Sequence, residues 1–186
     1  MFRLLFVLLV FVCAYQTPVA AQQDELSALN QEVGQLYRAG QYAAATKIAR
    51  RALAVAKVKF GPDHPLVGTS LNNLALLYES QGRYAEAEPL YKRDLVISEK
   101  ALGPDHPDVG TTLNNLAGLY RAQGRTAEAE PLYKRSLAIR ENALGPDHPD
   151  VGQSLNNLAG LYESQGRTAE AEPLYKRSLS IREKAL

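Results

Sequence analysis

The sequence has no tryptophan, one methionine, one cysteine at position 13 and only three histidines, and each scarcity removes a class of chemistry. A lone cysteine cannot form an internal disulfide, and beyond Cys13 no thiol is left to act as a nucleophile. No phosphate-cradling glycine loop, His-Glu-x-x-His helix or Gly-x-Ser-x-Gly elbow occurs anywhere in the chain. Long apolar runs are missing too. The longest, Leu4 to Val12, is far below the roughly 20 residues that a membrane-spanning helix needs.

That short run sits in a recognisable context. Arg3 precedes it, the polar and breaking residues Tyr15, Gln16, Thr17 and Pro18 follow it, and Val19, Ala20 and Ala21 come next. A charged start, a short apolar centre and small residues outline a signal peptide over 1–21, cut between Ala21 and Gln22. The alternatives are an uncleaved anchor and lipid attachment at Cys13, against which Val12 stands because a small residue is needed there. The expectation is an exported protein, periplasmic or secreted, with no membrane insertion after cleavage. Cleavage also removes Cys13, so stability must come from packing alone. With Arg3 gone, the 21 Lys and Arg fall to match the 20 Asp and Glu. A balanced, interspersed charge gives no general attraction to phosphate backbones or anionic lipid, which disfavours nucleic acid and membrane surfaces as partners.

What the chain does have is a repeat. The string GPDHP begins at Gly61, Gly103 and Gly145, 42 residues apart each time. Residues 103–144 and 145–186 are nearly identical, 61–102 is a closer relative of both than of anything else, and 22–60 holds a divergent earlier helix pair. Within one unit Val109, Leu113, Leu116, Ala117 and Tyr120 follow the i, i+4, i+7, i+8, i+11 spacing of one helical face. This helix A should start near Pro107, whose missing N–H is unneeded in a first turn, and stop at Gln123 before Gly124. Helix B should run from Thr126 to Leu144, burying Ala129, Leu132, Tyr133, Leu137 and either Ala143 or Leu144, until Gly145-Pro146 breaks it. Pro131, with Pro89 and Pro173, should bend or delay helix B. The pairs Glu88/Lys92, Glu130/Lys134 and Glu172/Lys176 sit at i, i+4 and read as a solvated face. One such pair of helices cannot cover its own apolar stripe, so the units must stack, giving an all-α solenoid of antiparallel helix pairs.

The pattern Leu71, Leu74, Ala75, Tyr78, Gly82, Tyr84, Ala87, Tyr91 resembles the tetratricopeptide repeat. The recurring Leu-Asn-Asn-Leu-Ala at 71–75, 113–117 and 155–159, followed by GR(Y/T)AEAEPLYKR and GPDHP, is similar to the 42-residue repeats of kinesin light chains. The resemblance covers roughly residues 26–186 and implies a right-handed superhelix whose A helices line a concave, peptide-binding groove. A motor-cargo role is not implied for an exported chain. Gly68, Gly110 and Gly152 stand where the family often has Ala, and each should weaken helix A by about 0.5–1 kcal/mol, giving a softer array.

Candidate groove residues follow from that frame. Asn72, Asn114 and Asn156, the first of each Asn pair, could clamp a peptide backbone, since an amide both donates and accepts; a ladder satisfying neighbouring helices is the competing role. Positions that vary between otherwise matching units are the specificity candidates: Thr69/Thr111/Gln153, Leu76/Gly118/Gly160 and Glu79/Arg121/Glu163, with Ser80/Ala122/Ser164 beside them. Gly118 and Gly160 would let a ligand backbone approach closely. The Asp-His-Pro triplets at Asp63, Asp105 and Asp147 suggest a metal. Their copies are separated by packed helices about 8–10 Å apart, whereas zinc gathers its ligands within about 2.0–2.3 Å. They read as linker and helix-start residues, with no metal, no cofactor and no catalytic group assigned. The expected function is a scaffold for a protein or peptide partner. Self-assembly through the last unit, which has no polar capping helix, is the alternative, as is a piece of a longer array; an enzyme is a remote third.

Overall fold

The computed structural model describes residues 19–185. The expected signal peptide's apolar run, Leu4 to Val12, and Cys13 lie outside the described residues. Eight helices are present among them: α1 (Val19–Arg38), α2 (Tyr42–Phe60), α3 (Pro65–Glu79), α4 (Tyr84–Leu102), α5 (Pro107–Ala122), α6 (Thr126–Leu144), α7 (Pro149–Ser164) and α8 (Thr168–Lys184). None of them is long and apolar enough to cross a membrane.

Each boundary has a local cause. His64, His106 and His148 are extended N-cap residues before a proline at the first helical position, and each Nδ1 accepts from the backbone N–H two residues on, at 3.2 Å. The histidines and the Pro after them therefore start the A helices. At the other end Gly124 takes φ +74, and Arg125 N–H donates to Tyr120 O at 2.8 Å, closing the turn that only glycine tolerates cheaply. The internal prolines do not delay the B helices: α6 starts at Thr126 and continues through Pro131 to Leu144.

The helices pack in chain order, each on its neighbours, and the A helices α3, α5 and α7 also meet one another. Closer spacing of that row puts it on the inner side of the stack. A continuous core runs from Val33 in α1 to Ala171 in α8 and takes in Leu116, Ala117 and Tyr120, while Val109 and Leu113, also buried, form a smaller cluster with Ile139 of α6. On helix B the expected set is partly different. Ala129 and Tyr133 are buried, Leu132, Leu137 and Leu144 only half-buried, and Ala143 is exposed, while Ser136, Ile139 and Arg140 lie inside.

Two sequence expectations are corrected by the packing. The Glu88 and Glu130 side chains are only 20% and 21% exposed, because each bridges to the next unit. Glu88 accepts from Tyr120 Oη at 3.2 Å and pairs with Arg125 at 2.7 Å, and Arg125 also lies over the Tyr120 ring and forks onto Glu128. Glu130, Tyr162 and Arg167 repeat the clamp. Surrounded by these donors, the Glu88 and Glu130 carboxyls are held down at about 2. Only Glu172, in α8, has the solvated character first expected, with a side chain 61% exposed. The glycines near the start of helix A are also better placed than a softening role implies. A Cβ at Gly68 would come within 2.5 Å of Asp94 Oδ1, and one at Gly152 within 3.2 Å of Ile181 Cγ2. Helix B approaches there, and Ser136 and Ser178 donate to the carbonyls of Gly110 and Gly152 at 2.6 and 2.7 Å. The missing side chain is the room that this contact uses.

Candidate functional site

The variable positions of the A helices are spaced i, i+3, i+7, i+10, so Thr69, Asn72, Leu76 and Glu79 share one face of α3, and their counterparts do so in α5 and α7. Because the A helices start from the same His-Pro cap, the rows keep register across the stack.

The asparagines take up the ladder. Asn115 Nδ2 donates to Asn72 Oδ1 at 3.1 Å, and Asn157 Nδ2 donates to Asn114 Oδ1 at 3.0 Å. The second Asn of one unit thus holds the first Asn of the unit before. Asn72 and Asn114 spend an acceptor on this bond, and their own Nδ2 donors have no protein acceptor among the described residues. Asn156, half-buried, enters no such bond.

A second row alternates in charge. Glu79 is half-buried on α3 and accepts from Tyr91 Oη at 2.9 Å; burial pushes its carboxyl up. Arg121 is exposed on α5, and Glu163, exposed on α7, accepts from Tyr175 Oη at 2.8 Å. Gly118 and Gly160 lie under this row. A Cβ on Gly118 would stand 3.8 Å from Glu79 Oε1, and one on Gly160 only 2.7 Å from Arg121 Nη1. The space over Gly160 is therefore taken by a charged side chain of the preceding unit, not held open for a ligand backbone, whereas a Cβ on Gly118 would meet Tyr133 Oη at 3.5 Å and Glu79 only at ordinary contact distance. Leu76 instead borders a recess of about 190 Å3 against Asn30, Val33, Gly34 and Tyr37 of α1.

The third row is uneven. Thr69 and Gln153 are exposed, while Thr111 is half-buried and accepts from Arg140 Nη2 at 3.1 Å. Ser80 turns back to donate to Leu76 O at 2.9 Å. Two buried groups on the B helices escaped the sequence reading. Asp94 is 2% exposed and Arg140 is 3% exposed. The signal for both is present in the units, since 42 residues separate Asp94 from Ser136 and Ser98 from Arg140. Among the described residues no three His, Cys, Asp or Glu side chains gather to hold a metal ion.

A family model described as tetratricopeptide repeat matches residues 24–95, 95–142 and 108–184. Solved structures add the arrangement of the units. BtubC (BKLC) from P. vanneervenii is similar with TM-score 0.75 and 26% identity, over 86% of this chain and 64% of that one. This chain thus spans just under two thirds of that protein's length. A Podosopora anserina protein described as a kinesin light chain with nearly identical TPR-like repeats is similar with TM-score 0.73 and 25% identity, over 92% of this chain and 79% of that one. Aspartyl phosphate phosphatase F from Bacillus subtilis, at 17% identity and TM-score 0.74 over 87% of this chain and 41% of its own, shares the fold. No curated protein matches the chain by sequence.

Proposed function

Since the chain belongs to the tetratricopeptide-repeat family, we propose that it is a protein-interaction scaffold holding a peptide or helix of a partner along its inner row of A helices. The observation that carries this reading is the pairing of fixed and variable groups on that row. Asn72 and Asn114 are oriented by ladder bonds with amide donors to spare, which suits a peptide backbone of any sequence. Beside them Glu79, Arg121 and Glu163 alternate in sign, which suits side-chain selection. No catalytic step is assigned to the chain. Export rests on the sequence of residues 1–21, so the partner belongs to the periplasm or the exterior.

The test is capture from the cell envelope with wild type and with the double variant Asn114→Ala, Arg121→Glu, followed by crosslinking of the recovered partner. Loss of capture in the variant, with crosslinks to α3, α5 and α7, supports the groove. Equal capture by both proteins removes it from the account.

A further inference from the structure

Five positions at each junction between units correspond at a spacing of 42 residues. At the junction of α5, α6 and α7 they are Thr111, Ser136, Arg140, Asp150 and Ser154. The Arg140 guanidinium is buried among the others: Nη1 donates to Asp150 O at 3.1 Å and to Ser154 Oγ at 2.9 Å, and Nη2 donates to Thr111 Oγ1 at 3.1 Å. The protein fills this junction with a cation of its own.

One unit earlier, at the junction of α3, α4 and α5, the same positions read Thr69, Asp94, Ser98, Asp108 and Thr112. The cation is missing, because Ser98 stands where Arg140 would. An acid has been added, because Asp94 stands where Ser136 would. Asp94 accepts from Ser98 Oγ at 3.0 Å and from Thr112 Oγ1 at 2.6 Å, and no Lys or Arg among the described residues pairs with it. What remains is a recess of about 110 Å3 lined by Thr69, Asn72, Asp94, Asp108, Thr111 and Thr112 among others. A single water needs only about 10–15 Å3 by this kind of measure. Within its lining Thr69 is exposed and Asn72 half-buried on the variable face of α3, and Asp108 is exposed at the start of α5.

We infer that this recess is a binding site for the guanidinium of an arginine side chain carried by the partner, seated as Arg140 is seated one unit later. The inference deepens the groove reading and rests on it, since Thr69 and Asn72 line the recess and also belong to the row along which the partner would lie. Three facts converge. The hydroxyls that hold Arg140 have direct counterparts in Thr69 and Thr112. The residue that would block the space is shortened to serine. A buried carboxylate, which two sibling units manage without, supplies a negative charge that a planar donor fork matches. The acid is otherwise unfavourable, since burial disfavours its charged form and Asp108 repels it.

The experiment titrates the isotope-labelled full chain with N-acetyl-arginine amide, followed by NMR. Saturable shifts confined to the neighbourhood of Thr69, Asp94 and Thr112, absent with the neutral N-acetyl-citrulline amide, are expected. Asp94→Ser, which installs the residue of the two sibling units and so keeps the fold, should weaken binding at least about tenfold. Ser98→Arg should abolish it by filling the recess from within. Absence of saturable shifts, equal shifts with the citrulline compound, or unchanged affinity in Asp94→Ser would overturn the inference. The outcome is separable from that of the groove. Equal partner capture by wild type and by the Asn114→Ala, Arg121→Glu variant sinks the groove while leaving amide binding to be read. Failed amide binding with intact groove-dependent capture sinks only the recess.

Discussion

The junction of α4 with α5 and the junction of α6 with α7 have the same helices in the same register, yet opposite chemistry at their centres. One buries the carboxylate of Asp94 with two hydroxyl donors beside a recess; the other buries the guanidinium of Arg140 with three acceptors. The junction of α2 with α3 has neither, since Ala52 and Ala56 occupy the matching positions. The shared part of the junction is therefore the apolar stripe; even the glycine contact is absent from the first unit, where Leu26 stands at the matching position. The polar centre is free to vary, and a repeat array can tune each junction separately because stability there is close to a sum of neighbour terms.

The comparison predicts its own largest effect at Arg140. Arg140→Ala removes the packed stem of the side chain and leaves Thr111, Ser154 and the Asp150 carbonyl without their donor. A loss of about 2–3 kcal/mol in urea unfolding is expected. A loss below about 0.5 kcal/mol would mean that the cation is incidental to the α6–α7 junction and that the two junctions differ in name only.

Reading the sequence alone recovers most of the frame, and the reason is physical. Helix starts, stops and the buried A-helix stripe are written by local rules: His-Pro caps, a glycine at positive φ, and apolar residues at helical spacing. Those rules placed α5 and α6 to within a residue of their ends. The junctions obey no local rule. Glu130 looks like half of an i, i+4 pair until Tyr162 and Arg167 arrive from the next unit, and Gly160 looks like an open step until Arg121 is laid over it. Arg140 carries no local mark of burial, because an arginine in a charged helix is ordinarily outside. In each case the missing information lies in partners on another helix, about 10 to 40 residues away.

The next effect in size belongs to Asp94 and depends on pH. Its folded carboxyl is raised above the usual value by burial first, with Asp108 of α5 adding repulsion; α3 faces it with Gly68, Thr69 and Asn72, and Tyr91 is the titratable neighbour on its own helix. A raised acid binds its proton more tightly in the folded chain than in the unfolded one, so wild type loses stability as pH rises through the ordinary carboxylate range and beyond. Asp94→Ser escapes that loss. It should exceed wild type by about 1 kcal/mol at pH 7, with the gap closing as pH falls below the ordinary carboxylate range. Thermal melts at several pH values measure it, and a gap that widens on acidification would contradict the assignment.

The smallest effect tests what the two junctions share. Glu88 and Glu130 sit in the same clamp, each held down at about 2 by Arg125 or Arg167 and by the lysine one turn on. A lowered carboxyl has the opposite sign to Asp94: its contribution is complete above an unfolded value near 4.5 and is lost as pH falls towards about 2. The clamp is partly wet, so Glu88→Gln and Glu130→Gln should each cost only about 0.5–1 kcal/mol at pH 7, less at high salt and progressively less as pH falls towards about 2. The two losses should be equal, because Tyr120 and Arg125 around the first acid repeat as Tyr162 and Arg167 around the second. If Glu88→Gln proves the costlier, the clamp is compensating for the open, acidic centre beside it, and the junctions are then coupled units of clamp and centre rather than one fixed frame with an interchangeable core.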